Sequence, residues 1–379
     1  MTLRRRSWLA AAGLIPWAAH ASPVMRVGPQ RVIKSLAAAA RQAGNGMLIE
    51  VDAGDYVGDV AAWPQHDLTL RAVGGRVRVI GGGAHAQGKG LFVMAGRRQR
   101  IEGFDFTDAR VPDRNGAGIR LEAGSLTLVD CGFRDNENGL LSANGADIEL
   151  DIIDCDFGPI LPGSGRTHNL YVGAIQRLSV TGSWLHHGLK GHLLKSRAAL
   201  NHILYNRLSD EIGGRASYEL EFANGGVAVV MGNLISQSST TENPHVISFG
   251  AEGAVGDKQA LYLVNNTLVD QRPGGGIWLR VTPPHADVVL ANNLLVGVPK
   301  LAADGHWVRR ANFSADWDEF VLAARDDFRL KPGSSLRGKA QDAGEGGGLV
   351  LTPTREYQHP CSTVALPPGR ALSPGAFQR

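Results

Sequence analysis

A short apolar five-mer recurs along most of this chain, and it limits the folds open to it more than any other feature. VDCGF at 129–133 returns as IDCDF at 153–157, VTGSW at 180–184 and LYNRL at 204–208. VMGNL at 230–234, VNNTL at 264–268 and LANNL at 290–294 complete the set. The closing residue advances by 24, 27, 24, 26, 34 and 26 positions and is always Phe, Trp or Leu. The opening residue is always Val, Ile or Leu, and the third is Cys, Gly or Asn. GFDF, ending at Phe106, reads as a weaker copy placed 27 residues before Phe133. A period of this size means stacked units, none of which can bury its apolar face alone. Strand-like units punctuated by Gly and Asn are coils of β structure, not helical pairs. Glycine agrees, at 49 of 379 residues, nearly twice the usual ~7%. The paired asparagines Asn265-Asn266 and Asn292-Asn293 read as ladders in successive turns, where Asn tolerates left-handed backbone. The spacing therefore predicts an all-β, parallel β-helix solenoid.

The rest of the chain frames that solenoid. Residues 1–21 read as an export signal: RRRSWLAAAGLIPWAAHA has a basic start, a short apolar run and an Ala19-His20-Ala21 cleavage pattern. Both a twin-arginine signal, on Arg5-Arg6, and an ordinary secretory signal fit. Export to the periplasm or beyond is expected, with no membrane span in the mature chain. Residues 22–46 are expected to form a cap, with PQRVIKSLAAAARQAGNG at 29–46 as one short amphipathic helix. The solenoid is expected over 47–300 and an irregular closing segment over 301–379. Removing Arg4, Arg5 and Arg6 with the signal takes the formal charge from +3 to zero, which gives no basis for a nucleic-acid or membrane partner. A capped solenoid has no need to pair, so a monomer is expected. Cys131 and Cys155 share a coil position, as stacked thiols or as a bridge between coils, and Cys361 stands apart. Asn312-Phe313-Ser314 matches a glycosylation sequon.

The repeat also supplies a register. Sixteen residues before Trp184, Leu208 and Leu234 lie His168, His192 and Tyr218; fifteen before lie Asn169, Leu193 and Glu219; thirteen before lie Tyr171, Lys195 and Glu221. Leu170, Leu194 and Leu220 between them should face the core, so alternation sends their neighbours outward. One outer face then carries Asn169, Tyr171, Lys195, Arg197, Glu219 and Glu221 within about 5–10 Å of one another. His168 and His192 stand at the strand entrances, and His245 and Arg280 extend the same face. Insertions at 156–167, 210–217 and 236–244 are expected to wall it into a groove. Ordinary cross-strand ion pairs explain Lys195, Arg197 and Glu221 equally well. Glu219 and Glu221, two residues apart, could hold Ca²⁺ or serve as the carboxylate pair of a glycoside hydrolase. His186-His187 reads as loop surface.

The pattern over residues 47–297 resembles the right-handed parallel β-helix of the pectate-lyase-like superfamily. The Glu219-Leu220-Glu221 pair resembles the calcium-binding E-x-E of the chondroitinase B and alginate lyase family, although Lys195 and Arg197 precede the pair here. DDFRLKPGSSLRGKA, at 326–340, resembles a closing segment common in secreted β-helix proteins. The resemblance implies a secreted polysaccharide lyase acting on an acidic, uronate-containing glycan. Lys195, Arg197, Tyr171 and His168 would then be catalytic. Asn169, His192, Tyr218, His245 and Arg280 would bind substrate, and Glu219 and Glu221 would hold Ca²⁺. In that reading Arg197 or the metal neutralises the sugar carboxylate, and Lys195 is the base, provided burial and Arg197 lower its pKa. Tyr171 or His168 is the acid, or the base in place of Lys195. A hydrolase using Glu219 and Glu221, or a non-catalytic glycan-binding or structural solenoid, would share the fold.

Overall fold

The recurring five-mers are corners. The computed structural model of the chain describes residues 23–161, 167–241, 243–298 and 307–379. In each corner one residue takes a left-handed backbone: Asp130, Asp154, Gly182, Tyr205, Gly232, Asn265, Asn292 and Ala311, with φ between 47° and 70°. The next residue points a side chain along the solenoid axis. The Cys131 N–H donates to Cys155 Sγ, Cys155 N–H to Ser183 Oγ, and Ser183 N–H to Asn206 Oδ1. The series continues through Asn233, Asn266, Asn293 and Asn312 at 2.8–3.0 Å. Each of these asparagines also donates to a backbone carbonyl of the preceding coil, so the corner leaves no amide unanswered. Asn312 is the last rung, and its amide is committed to the Leu290 carbonyl. The three cysteines are free thiols.

On either side of each corner run parallel strands joined in one 21-stranded sheet, while nine shorter strands, from Ala61–Trp63 to Ile277–Val281, form a second sheet. Each coil contributes to both sheets, giving about ten turns of a right-handed parallel β-helix. Its core is built from aligned apolar residues. Phe106, Phe133 and Phe157 stack face to face at 5.3 and 4.5 Å, and Leu185, Leu208, Ile235, Leu268 and Leu295 continue the row. Each such side chain contributes roughly 1.5–3 kcal/mol by burial. The five-mer register slips by one residue at three coils, since Trp184, Leu234 and Leu294 lie beside the row and not in it. The pairing on the second sheet is unaffected. Five residues separate Lys195 from Leu200 there, where six separate Tyr171 from its counterpart Arg177, and this shorter turn absorbs the slip.

The single α-helix among the described residues, Leu36–Gln42, is shorter than the sequence pattern suggests. Ser35 caps it by accepting from Ala38 N–H, and the Asp59 carboxylate takes the N–H groups of Leu36 and Ala37. A strand at Val24–Val27 already pairs with the following strand before that helix begins. At the far end, Val308–Arg310 and Phe313–Ala315 add the last parallel strands to the large sheet, beyond the expected end of the solenoid at 300, and the chain after them folds back along that sheet. The Thr354 N–H donates to Tyr205 Oη, and Asn265 Nδ2 donates to the Ser373 carbonyl. Ala343 and Leu351 join Tyr205, Val229 and Met231 in a satellite core.

Candidate active site

The second sheet positions the site because its strands are short and in register. Leu170–Val172, Leu194–Ser196 and Leu220–Phe222 are adjacent and parallel. Their central residues pair Tyr171 with Lys195 and Lys195 with Glu221, and Ser248 and Arg280 continue the row. The flanking leucines Leu170, Leu194 and Leu220 are fully buried, so the central residues face out. Tyr171 and Lys195 lie on the floor of a groove of about 730 Å³ lined by Arg114, Asn138, His168, Lys190, Arg197 and Glu252 among others, with Glu221 buried against Lys195. Four cationic side chains in this lining face two carboxylates, Asp113 and Glu252, so the groove suits an anion.

Charge is tightly ordered here. Lys195 Nζ lies 3.1 Å from Glu221 Oε2 and also pairs with Glu252. Arg197 pairs with the same Glu252 carboxylate, donates from Nε to Tyr171 Oη at 2.9 Å, and donates from Nη1 to Asn224 Oδ1. Burial works to lower the pKa of Lys195, but hydrogen bonding and charge from Glu252 and Glu221 outweigh it and hold the ammonium charged. This reverses the balance that a lysine base requires. Glu221 shows the mirror effect: burial would raise it, yet His192 and Lys195 keep it below the usual carboxylate range. His192 Nε2 lies 2.8 Å from Glu221 Oε2.

His168 is held by its backbone and its ring. Its N–H donates to Asn138 Oδ1, and its Nδ1 accepts the His192 N–H at 2.9 Å. Burial, together with charge from His192, Lys195 and Arg197, pushes its pKa well below the ordinary value. A neutral ring that accepts at Nδ1 carries its proton on Nε2. His168 is thus a hydrogen-bond donor, which corrects its expected use as a base. The rings of His168, His192, Tyr218 and His245 succeed one another at 4.8, 4.9 and 6.1 Å along the strand entrances. Only the first two line the groove; Tyr218, His245 and Arg280 lie beyond it on the same face.

Two expected site residues are elsewhere. Asn169 is fully buried, and its Nδ2 donates to the carbonyls of Phe157, Gly158 and His186, which closes the corner where the chain enters the second sheet. Glu219 occupies the same register position two coils on, also without exposure. Neither of its carboxylate oxygens has a hydrogen-bond partner. Burial and then the charge of Asp210 push its pKa well up. Alternation along the strand fails at this position because the side chain enters a corner roofed by the incoming connection. Glu219 and Glu221 therefore do not share a surface. They do not fit a Ca²⁺ ion held between them, and among the described residues no group of three His, Cys, Asp or Glu is placed to hold a metal. Glu219 also cannot reach a glycan as half of a hydrolase pair.

The walls differ from expectation as well. The described residues of 210–217 and 236–244 do not line the groove; residues 113–115, Lys190 and Glu252 do. Part of 156–167, and the export signal at 1–21, lie outside the described residues. Asp113-Arg114-Asn115-Gly116 carried a turn signal but no recognisable five-mer. Glu252 lies in the coil with the irregular 34-residue step, where the register was weakest. His186, expected on a loop surface, is buried: its Nε2 lies 2.9 Å from Asp156 Oδ1, and Trp184 stacks on its ring at 3.7 Å.

No protein-family profile matches the chain, and no curated protein sequence does. Among solved structures, pectate lyase Pel9A superposes with a TM-score of 0.62 at 12% identity, covering 94% of this chain and 97% of that one. A mutant of the PL6 family alginate lyase AlyGC aligns over 80% of this chain and 55% of that one, at 15% identity and a TM-score of 0.37, too low to carry weight. No helix among the described residues is long and apolar enough to cross a membrane. The alignment along nearly all of Pel9A, together with the stacked coils, shows that this chain shares its right-handed parallel β-helix fold.

Proposed function

We propose that the protein is an exported polysaccharide lyase that cleaves a uronate-containing glycan by β-elimination. One observation carries this reading: Lys195 and Arg197 converge on a single carboxylate at the floor of a groove, with the Tyr171 hydroxyl held beside them. The fold of a pectate lyase supports it.

β-Elimination removes the proton on the carbon next to the sugar carboxylate, forms a carbon–carbon double bond and breaks the bond to the leaving glycosidic oxygen, which takes up a proton. Arg197 and Lys195 receive the carboxylate and stabilise the charge that develops on it as the carbon loses its proton. Tyr171, acting as the phenolate, takes the carbon-bound proton at Oη and leaves as the neutral phenol, and the Arg197 Nε–H aimed at that oxygen stabilises its negative charge beforehand. Lys195, kept charged by Glu221, is the proton donor to the leaving oxygen. His168 supplies a fixed N–H to the bound sugar, and His192 holds Glu221 in place.

The test is a panel of uronate polysaccharides read by near-ultraviolet absorbance and by reducing ends. Unsaturated products are expected, and Lys195→Ala should reduce their formation by about a thousandfold or more. Reducing ends without absorbance would indicate hydrolysis. Binding without cleavage would indicate a non-catalytic solenoid.

A further inference from the structure

The mechanism gives no task to either groove carboxylate, Asp113 or Glu252, and of the two it is Glu252 that pairs with Lys195 and Arg197, where the substrate's own carboxylate should go. Its two oxygens are divided between the cations: Oε1 accepts from Lys195 Nζ and Oε2 from Arg197 Nη2. Its side chain is 41% exposed, against 10% for Lys195 and 22% for Arg197, so it covers them from the open side.

The backbone explains how it reaches two coils back. Glu252 follows the strand His245–Phe249, and its N–H donates to the Ala223 carbonyl at 2.9 Å. Ala223 stands one coil beyond Arg197 and offers no long side chain to block the path. The loop is pinned by Gly250 N–H to the Phe222 carbonyl, Val255 N–H to the Asn224 carbonyl, and Asn224 Nδ2 to the Gly253 carbonyl. Gly253 and Gly256 take positive φ with open space around them, so the tip itself is not wedged by packing.

We infer that Glu252 is a specificity-determining residue, an internal carboxylate that occupies the uronate subsite and yields it only to a sugar bearing its own carboxylate. The inference rests on the lyase reading for the identity of the substrate. An acidic sugar exchanges one carboxylate for another, and both cations stay paired. A neutral or esterified sugar that pushed Glu252 aside would take from Arg197 the carboxylate it pairs with and leave Lys195 with Glu221 alone. Glu252 thus weakens all binding in proportion to the fraction of time it is seated, and rejects uncharged glycans most strongly.

The experiment compares wild type, Glu252→Gln and Glu252→Asp by calorimetric titration with free D-glucuronate, D-galacturonate and, as the neutral control, D-glucose. Melting curves check that each variant is folded. In Glu252→Gln, affinity for the two uronates should rise by roughly tenfold and glucose binding should stay undetectable, because the competing anion is gone but the cations remain. Glu252→Asp retains the charge and should stay near wild type. Unchanged or weaker uronate binding in folded Glu252→Gln overturns the inference. The titration needs no turnover, so the two readings fail separately. A rise in uronate affinity with no polymer cleaved leaves Glu252 as the occupant and removes the lyase. Unsaturated products with unchanged affinity in Glu252→Gln keep the lyase and remove the role of Glu252.

Discussion

Two corners of the same coils are built on opposite principles. At the corner between the paired strands of the large sheet, residues 131, 155, 183, 206, 233, 266, 293 and 312 repeat one bonding scheme, and each side chain answers a backbone group of its neighbour. At the corner where the chain enters the second sheet, the equivalent residues are Asn169, Leu193 and Glu219: an amide whose nitrogen is bonded but whose oxygen is not, a hydrocarbon and a carboxylate with no partner at all. The first corner is periodic because its only task is to stack. The second supports the strands that present Tyr171, Lys195 and Glu221, and there the repeat is broken coil by coil. In a solenoid, stability is close to a sum of neighbour terms, so such departures can be tolerated locally without unwinding the rest.

That contrast is open to experiment, and the largest effect should come from the groove. Tyr171→Phe removes only a hydroxyl, half-buried on the surface of the second sheet, and should leave the melting temperature nearly unchanged. If the hydroxyl transfers the proton, kcat on a cleaved uronate polymer should fall by roughly 10²–10⁴. A Tyr171→Phe enzyme of normal rate would return Tyr171 to a mere hydrogen-bond partner of Arg197. The periodic corner should show the reverse separation. Asn233→Ala strips an acceptor from the Asn206 N–H and a donor from the Ile203 carbonyl, both in the interior. The expected cost is roughly 2–4 kcal/mol in chemical denaturation, with the activity of the folded fraction retained. A stability change under about 0.5 kcal/mol would mean that the ladder is decoration rather than structure.

These two corners also mark what could be read from the sequence. The ladder was legible because the asparagines, the left-handed positions and the closing hydrophobes all repeat near one period. The pairing of Tyr171, Lys195 and Glu221 was legible for the same reason, because a two-residue alternation anchored on Leu170, Leu194 and Leu220 leaves no choice of face. Asn169 and Glu219 were misplaced because alternation describes a strand with two free faces, and these residues precede the strand, where an incoming loop closes one of them. Glu252 and residues 113–115 reach the groove from coils whose spacing is irregular, so no count along the chain could bring them there. The protonation of Lys195 was out of reach for the same reason, since one of the two carboxylates that set it was not in view.

Glu219 and Glu221 give the finest test of the comparison, for they are the same residue type two positions apart with opposite linkage to pH. Glu219 has its pKa raised by burial and by Asp210, and Asp210 itself is pushed up to about 7 by burial. Unfolding releases both groups to ordinary values near 4, so the unfolded chain loses protons that the folded chain still holds. The stability these groups permit is complete below about pH 4 and is lost as pH rises through their folded values. Glu221 is held low by His192 and Lys195, so its contribution is present above about pH 4 and disappears as pH falls through its folded value. Glu219→Leu repeats the Leu193 of the preceding coil, removes a buried group with two unanswered oxygens and relieves Asp210. It should raise stability near pH 8 by roughly 1–2 kcal/mol and flatten the decline between about pH 4 and 7. Glu221→Leu at neutral pH should instead destabilise, since it takes a carboxylate from both Lys195 and His192. Melting curves of both variants across that range decide the matter. Parallel shifts of the same sign would show that the two carboxylates share one environment after all.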